Sequence, residues 1–137
     1  MSITDPIADA LTKVRNAYRA NHKTVFVNHC NIVENIVKLM DEENFINSYE
    51  IIDRDPKKGI CRKQISIKLR YTNTGIPVVK GIERVSKPGR RVYVDTNHMP
   101  SVFNNTGCAV ISTNKGVLVD RAARKENVGG EYICKIW

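Results

Sequence analysis

Apolar positions near the start of the chain recur at helical spacing. Ile7, Leu11, Val14 and Tyr18 stand at i, i+4, i+7 and i+11, which lines up one apolar stripe of an α-helix. Asp5-Pro6 is a favourable opening for it. Asp accepts from free backbone N–H groups at the N-cap, and Pro takes the first helical position, where its missing donor costs little. Residues 24–27 form a short apolar segment suited to a strand. A second helix follows, with Asn31 and Glu34 at capping-box spacing or a start two or three residues earlier, and with Ile32, Ile36, Leu39 and Met40 as its buried stripe. Asp41-Glu42-Glu43 closes it with three negative charges at the end where the helix dipole is already negative, and Asn44 can take the left-handed stop. Residues 45–52 and 62–71 read as strands. The second alternates Ile65, Ile67, Leu69 and Tyr71 with Gln64, Ser66, Lys68 and Arg70, and Asp55-Pro56-Lys57-Lys58-Gly59 supplies the turn between the two.

The periodicity then lapses. Residues 72–77 carry turn formers without an apolar pattern and are expected to be a linker. Beyond them, short strand candidates at 78–85, 91–94, 107–113, 116–119 and 131–137 are separated by Gly, Pro and Asn. Residues 99–104 suggest a helical turn. Residues 120–125 suggest a short helix with Asp120 as cap, ended by Gly129-Gly130. The expected architecture is α+β in two small lobes. Residues 1–71 form an N-terminal α-β-α-β-β lobe, an open sheet with helices on one face, and residues 78–137 form a mostly antiparallel β lobe with a short helix. No internal repeat or low-complexity segment is present.

Composition agrees with that size. The chain has 137 residues, 42% of them hydrophobic and 26% charged. That is globular rather than disordered, and long enough to bury roughly two thirds of the unfolded surface without a metal or a disulfide. No run of about 18 apolar residues occurs, and the N-terminus carries Asp5, Pro6 and Asp9 where a signal peptide needs positive charge and then an apolar stretch. The expectation is a protein that is neither membrane-spanning nor secreted. Cys30, Cys61, Cys108 and Cys134 form no Cys-x-x-Cys pair and have no His at zinc-finger spacing. They read as small buried hydrophobes in a reducing cytoplasm, with no metal and no cofactor.

The charge changes the picture more. The net charge is +8, but residues 1–68 hold 11 Lys+Arg and 9 Asp+Glu, whereas residues 69–137 hold 11 and 5. The second half faces a polyanion if either half does, and one-sided basicity is the footprint of a nucleic-acid binder. Arg84, Lys87, Arg90 and Arg91 cluster around the Pro88-Gly89 turn. Lys offers phosphate a mobile point charge, while Arg can hold two phosphate oxygens or stack on a base. Residues 112–116, Ser-Thr-Asn-Lys-Gly, make a loop of small hydroxyl and amide groups between apolar strands. Such groups suit the wide, shallow minor groove of RNA, where shape and 2′-hydroxyls can be read. On the first helix, Thr12, Arg15, Asn16 and Arg19 share the flank opposite the apolar stripe. Each of these three features is also what an ordinary solvated turn, loop or helix face looks like.

Catalytic readings find less support. Ser112-Thr113-Asn114-Lys115 fits Ser-x-x-Lys, in which Lys activates Ser at a helix start, but here it closes an apolar strand, and the Ser-Asp-Asn and Lys-Thr-Gly companions are missing. A Ser/Lys hydrolase is therefore the remote alternative. His22, His29 and His98 show no Cys or acidic partner at ligand or triad spacing, and no phosphate-cradling glycine motif occurs.

Three segments carry a family resemblance. Residues 5–17, Asp-Pro-Ile-Ala-Asp-Ala-Leu-Thr-Lys-Val-Arg-Asn-Ala, are similar to the opening of bacterial-type small-subunit ribosomal protein number eight, the uS8 family. Residues 86–94, Ser-Lys-Pro-Gly-Arg-Arg-Val-Tyr-Val, resemble its middle motif. Residues 112–124, continued by Val128-Gly129-Gly130-Glu131 and the terminal Trp137, resemble its C-terminal signature. The segments lie in family order along the whole chain. The resemblance implies a non-catalytic two-lobed α+β protein that binds the central domain of small-subunit ribosomal RNA early in assembly, beside neighbouring small-subunit proteins. It assigns the most discriminating RNA contacts to Ser112, Thr113, Asn114 and Lys115, with Gly116, Gly129 and Gly130 beside them. It gives phosphates to Lys87, Arg90 and Arg91, and a second RNA element to Thr12, Arg15 and Asn16. Some family members also repress a messenger that mimics the ribosomal site. Two departures stand out: Asn114 where Ser is usual, which alters the local contact geometry, and Val119 where Thr or Ser is common, which removes a hydroxyl and takes that position out of the site.

Overall fold

Asp5 opens helix α1 (Pro6–Arg19) through its Oδ1, which accepts from the Ala8 backbone N–H at 3.2 Å, and Pro6 takes the first position. This computed structural model describes residues 5–54, 62–103 and 106–137. The expected stripe of α1 is buried: Ile7, Leu11, Val14 and Tyr18, joined by Ala10 and Ala17. Helix α2 (Asn31–Glu42) departs from expectation in two ways. Its buried face is Val33, Ile36, Val37 and Met40, with Ile32 and Leu39 only half-buried. Its N-cap is Cys30, without a side-chain bond, so no capping box forms. Glu34 instead reaches back to His29 Nε2 at 3.0 Å. The helix stops as expected, with Asn44 left-handed at φ 63°.

Strands β1 (Thr24–Asn28), β2 (Ile46–Arg54) and β3 (Arg62–Leu69) form an antiparallel sheet in the order β1-β3-β2. Val27, Ile46, Ile65, Ile67 and Leu69 are buried in this first core. Burial of each side chain of that size contributes about 1.5–3 kcal/mol. Tyr18 ties the helix end to the sheet: its hydroxyl donates to the Phe45 carbonyl and accepts from the Arg70 N–H at 3.2 Å. Burial pushes its pKa up to about 12. The turn expected at 55–59 and Cys61 lie outside the described residues.

By its internal contacts the chain divides into Met1–Val79 and Lys80–Trp137. Residues 72–77, read above as the linker, close a turn within the first unit. The Thr72 N–H donates to the Ile76 carbonyl and the Gly75 N–H to the Thr72 carbonyl, Gly75 takes φ 84°, and Tyr71 bridges to Pro77.

The second unit is an antiparallel sheet, β4-β8-β6-β7, with β5 also paired to β8. Its strands are β4 (Ile82–Arg84), β5 (Tyr93–Val94), β6 (Cys108–Thr113), β7 (Gly116–Val119) and β8 (Gly130–Ile136). The last strand is therefore the central one. β4 and β5 are shorter than the runs at 78–85 and 91–94. No helical turn begins at Met99: a 3₁₀ turn lies earlier, at Thr96–His98, and Pro100 pushes Met99 to an extended ψ of 125°. Helix α3 (Asp120–Glu126) has Val119, not Asp120, at its N-cap, and it ends on Asn127 at φ 57°, before the two glycines. Val119 makes no side-chain cap bond, the local consequence of its missing hydroxyl. Val102, Ala109 and Ile111 form a core cluster with Val94, Met99, Tyr132 and Trp137 packed against it. Cys108 and Cys134 are buried, Cys30 is half-buried, and all three are free thiols. Burial pushes the Cys134 thiol up to about 12.

Candidate nucleic-acid interface

The basic turn is a tight two-residue reversal. Lys87 and Arg90 exchange backbone hydrogen bonds of 2.9 Å in each direction, with Pro88-Gly89 at the tip, and Lys87, Arg90 and Arg91 are exposed. It is fastened from behind. Ser86, with no exposed surface, donates from Oγ to Glu131 Oε2 at 2.5 Å and accepts from the Val92 N–H at 3.1 Å. Arg91 Nη1 donates to the same Glu131 oxygen at 3.1 Å. Burial pushes the Glu131 carboxyl up, but the Ser86 hydroxyl, the Arg91 hydrogen bond and charge, and the Arg84 charge outweigh it and hold the pKa below the ordinary carboxylate value. Beside the turn lies an open cleft of about 400 Å³, lined by Arg84, Lys87, Arg90 and Lys135 against the single carboxylate Glu83. Two of its cations have protein partners: Arg84 Nη1 donates to the Ile133 carbonyl at 2.8 Å, and Lys135 pairs with Glu83 at 3.3 Å.

The polar loop is the tip of the β6–β7 hairpin. Thr113 pairs with Gly116, so Asn114 and Lys115 form the reversal, both exposed. Gly116 has φ 110°, a conformation that side chains disfavour. The Thr113 hydroxyl shapes the tip, donating to the Gly116 carbonyl at 2.7 Å and accepting from the Lys115 N–H at 3.1 Å. Lys115 Nζ meets Glu126 at 3.3 Å in a pair about half exposed on both sides, which binds weakly and exchanges readily.

Strand β8 brings the two features together. Glu131 stands opposite Ser112 on one side and opposite Tyr93 on the other; Gly130 stands opposite Thr113 and Val94. Both glycines are needed for these close approaches. A Cβ on Gly129 would lie 2.4 Å from the Val94 carbonyl oxygen, and one on Gly130 would lie 2.0 Å from that of Ser112.

In the first unit, Thr12, Asn16 and Arg19 are exposed on α1. Arg15 is half-buried, and its Nε is buried without a hydrogen-bond partner. Two histidines have an acidic neighbour, though neither pair builds a ligand set or a triad: His29 meets Glu34 at 3.0 Å and His98 meets Asp95 at 2.7 Å. Both pairs are local contacts at helix starts, formed by turns that simple spacing did not anticipate. Among the described residues no group of three His, Cys, Asp or Glu could hold a metal ion, and no helix is long and apolar enough to cross a membrane. Ser112 lies in a strand rather than at a helix start. Ser86 and Glu131 stand in the motifs named above without an assigned role and Lys135 stands outside them; their partners come to them only through the pairing of β8.

Comparison with known proteins supplies the family. The family model described as Ribosomal protein S8 matches residues 5–137. "Small ribosomal subunit protein uS8" of Clostridioides difficile (strain 630) is 47% identical over 137 residues, all of both chains. The proteins of the same name from Geotalea uraniireducens (strain Rf4) and Halothermothrix orenii are 44% and 41% identical over the same full length. With its motifs, its two-unit α+β structure and a match running from Asp5 to the terminal Trp137, the chain belongs to the ribosomal protein S8 family.

Proposed function

We propose that this protein binds the central domain of small-subunit ribosomal RNA and holds two of its helices in a fixed relation during assembly. Membership of the family makes it a structural, non-catalytic protein of the small ribosomal subunit, working in the cytoplasm. The observation that carries the finer reading is the junction at the start of β8, which fastens the exposed cations of the 87–91 turn and joins the hairpin tip at 112–116. Lys87, Arg90 and Arg91 neutralise phosphates. Ser112, Asn114 and Lys115 enter the minor groove, where hydroxyl and amide groups meet 2′-hydroxyls and base edges. Thr113 and Gly116 shape the tip, Gly129 and Gly130 admit the strands beneath it, and Thr12, Arg15 and Asn16 engage the second RNA element.

Binding to a central-domain RNA fragment should weaken with salt, with a log-log slope of ~0.7–0.9 per phosphate contacted. Lys87→Ala and Arg90→Ala are each expected to flatten that slope by about one contact. Asn114→Asp places a charge against RNA without removing a phosphate partner, so it should lower affinity while leaving the number of phosphate contacts unchanged. A salt titration by fluorescence anisotropy measures both quantities, and unchanged affinity in Asn114→Asp would place the tip away from the RNA.

A further inference from the structure

Glu131 is a carboxylate set inside a surface built for polyanions, where charge alone argues against it. Its surroundings give a reason for its presence. One oxygen, Oε2, receives the Ser86 hydroxyl at 2.5 Å and Arg91 Nη1 at 3.1 Å. Ser86 immediately precedes the basic turn and Arg91 immediately follows it, so both ends of the turn are fastened to a single atom. The Ser86 oxygen passes the constraint on to the Val92 N–H. The backbone of Glu131 pairs with Ser112 at the base of the polar hairpin and with Tyr93 just beyond the turn. The Arg91 side chain remains 47% exposed, so it is oriented by the carboxylate without being withdrawn from solvent.

We infer that Glu131 is a positioning residue for RNA binding, setting the spacing between the basic turn and the hairpin tip and aiming Arg91 outward. This rests on the reading above that the turn and the tip contact RNA. The lowered pKa of Glu131 fits the role, because the carboxylate stays charged at neutral pH and holds Arg91 by an ionic hydrogen bond. Electrostatic attraction and positioning predict opposite effects of its removal. If only net charge mattered, Glu131→Gln and Glu131→Ala would bind RNA equally well, and both more tightly than the parent. If positioning matters, affinity falls in the order parent, Gln, Ala, because Gln still offers a carbonyl oxygen to Ser86 and Arg91 whereas Ala offers nothing.

The test compares the full chain with Glu131→Gln, Glu131→Ala, Lys87→Ala and Arg90→Ala on a central-domain ribosomal RNA fragment, measuring affinity and salt slope, with thermal unfolding to confirm folding. Glu131→Ala is expected to bind about tenfold more weakly, the equivalent of one lost specific contact, and with a shallower salt slope despite the gain of one positive charge. Glu131→Gln should fall between Ala and the parent, and decides the matter if the Ala variant does not fold. Equal or tighter binding by the Gln variant, with Lys87→Ala and Arg90→Ala still weakened, would overturn the positioning role alone. No effect in any of the four variants would remove the turn from the interface, and the positioning role with it.

Discussion

Asp120→Ala is expected to cost the second unit about 3 kcal/mol, the lower end of what removing one member of a buried ion pair costs. Asp120 has no exposed surface. Arg124 Nη2 donates to its Oδ2 at 2.7 Å, and the Ala109 N–H donates to its Oδ1 at 3.3 Å. Arg124 also donates to the Pro100 carbonyl at 2.9 Å, so the pair joins α3, β6 and the segment at Pro100. Without the carboxylate, a guanidinium is left without its counter-charge and a fully buried strand residue loses an acceptor. The guanidinium keeps partial access to water, which holds the loss to the lower end of the range. Trp137 is the single tryptophan and lies in this unit, so denaturant unfolding followed by its fluorescence reports the change. Asp120→Asn should lose less, because an amide oxygen can still accept from Ala109. A loss under about 1 kcal/mol in the Ala variant would show that solvent or a neighbour replaces the carboxylate.

Gly130→Ala is expected to damage stability and RNA binding together. A Cβ there would stand 2.0 Å from the Ser112 oxygen, 2.8 Å from the Ser112 carbonyl carbon and 3.1 Å from Thr113 Cα. All three are backbone atoms, so no rotamer change relieves the collision; β6 and β8 must separate where they support the hairpin tip. Overpacking costs 1–3 kcal/mol and occasionally more, and an unyielding backbone puts this case at about 3 kcal/mol. RNA affinity measured well below the unfolding temperature should also fall, because Ser112 and Thr113 move with the strand. Gly89→Ala is the stability control: nothing lies within 4 Å of its added Cβ, and stability should stay within about 0.5 kcal/mol. Parent-like stability and affinity in Gly130→Ala would show that the sheet can open there without consequence.

The first unit was legible because its signals are local. Asp5-Pro6, Asn44 and the alternation through Ile65, Ile67 and Leu69 each act within a few residues, and each appears in the structure as read. The face of α2 was not, because Ile32 and Leu39 are as apolar as Val33 and Val37, and helical spacing alone allows either phase. Packing against the sheet chose between them. Asp120 has a good capping side chain, but it pairs with Arg124 four residues on and accepts from the Ala109 N–H; the second bond is a tertiary effect with no local trace, and it draws the carboxylate into the interior. On the candidate interface, Pro88-Gly89 made the basic turn visible, and the run of small polar residues made the hairpin tip visible. Their connection was not, because Ser86 and Glu131 are 45 residues apart and meet only when β8 becomes the central strand.

Footprinting the purified protein on protein-free small-subunit ribosomal RNA tests the specific binding most directly. Protection should fall within the central domain, on two of its helices, and shrink to weak, scattered reactivity changes in a Lys87→Ala, Arg90→Ala, Asn114→Asp triple variant. Protection spread over all domains by the parent protein, unchanged in that variant, would contradict specific recognition and leave only attraction by net charge.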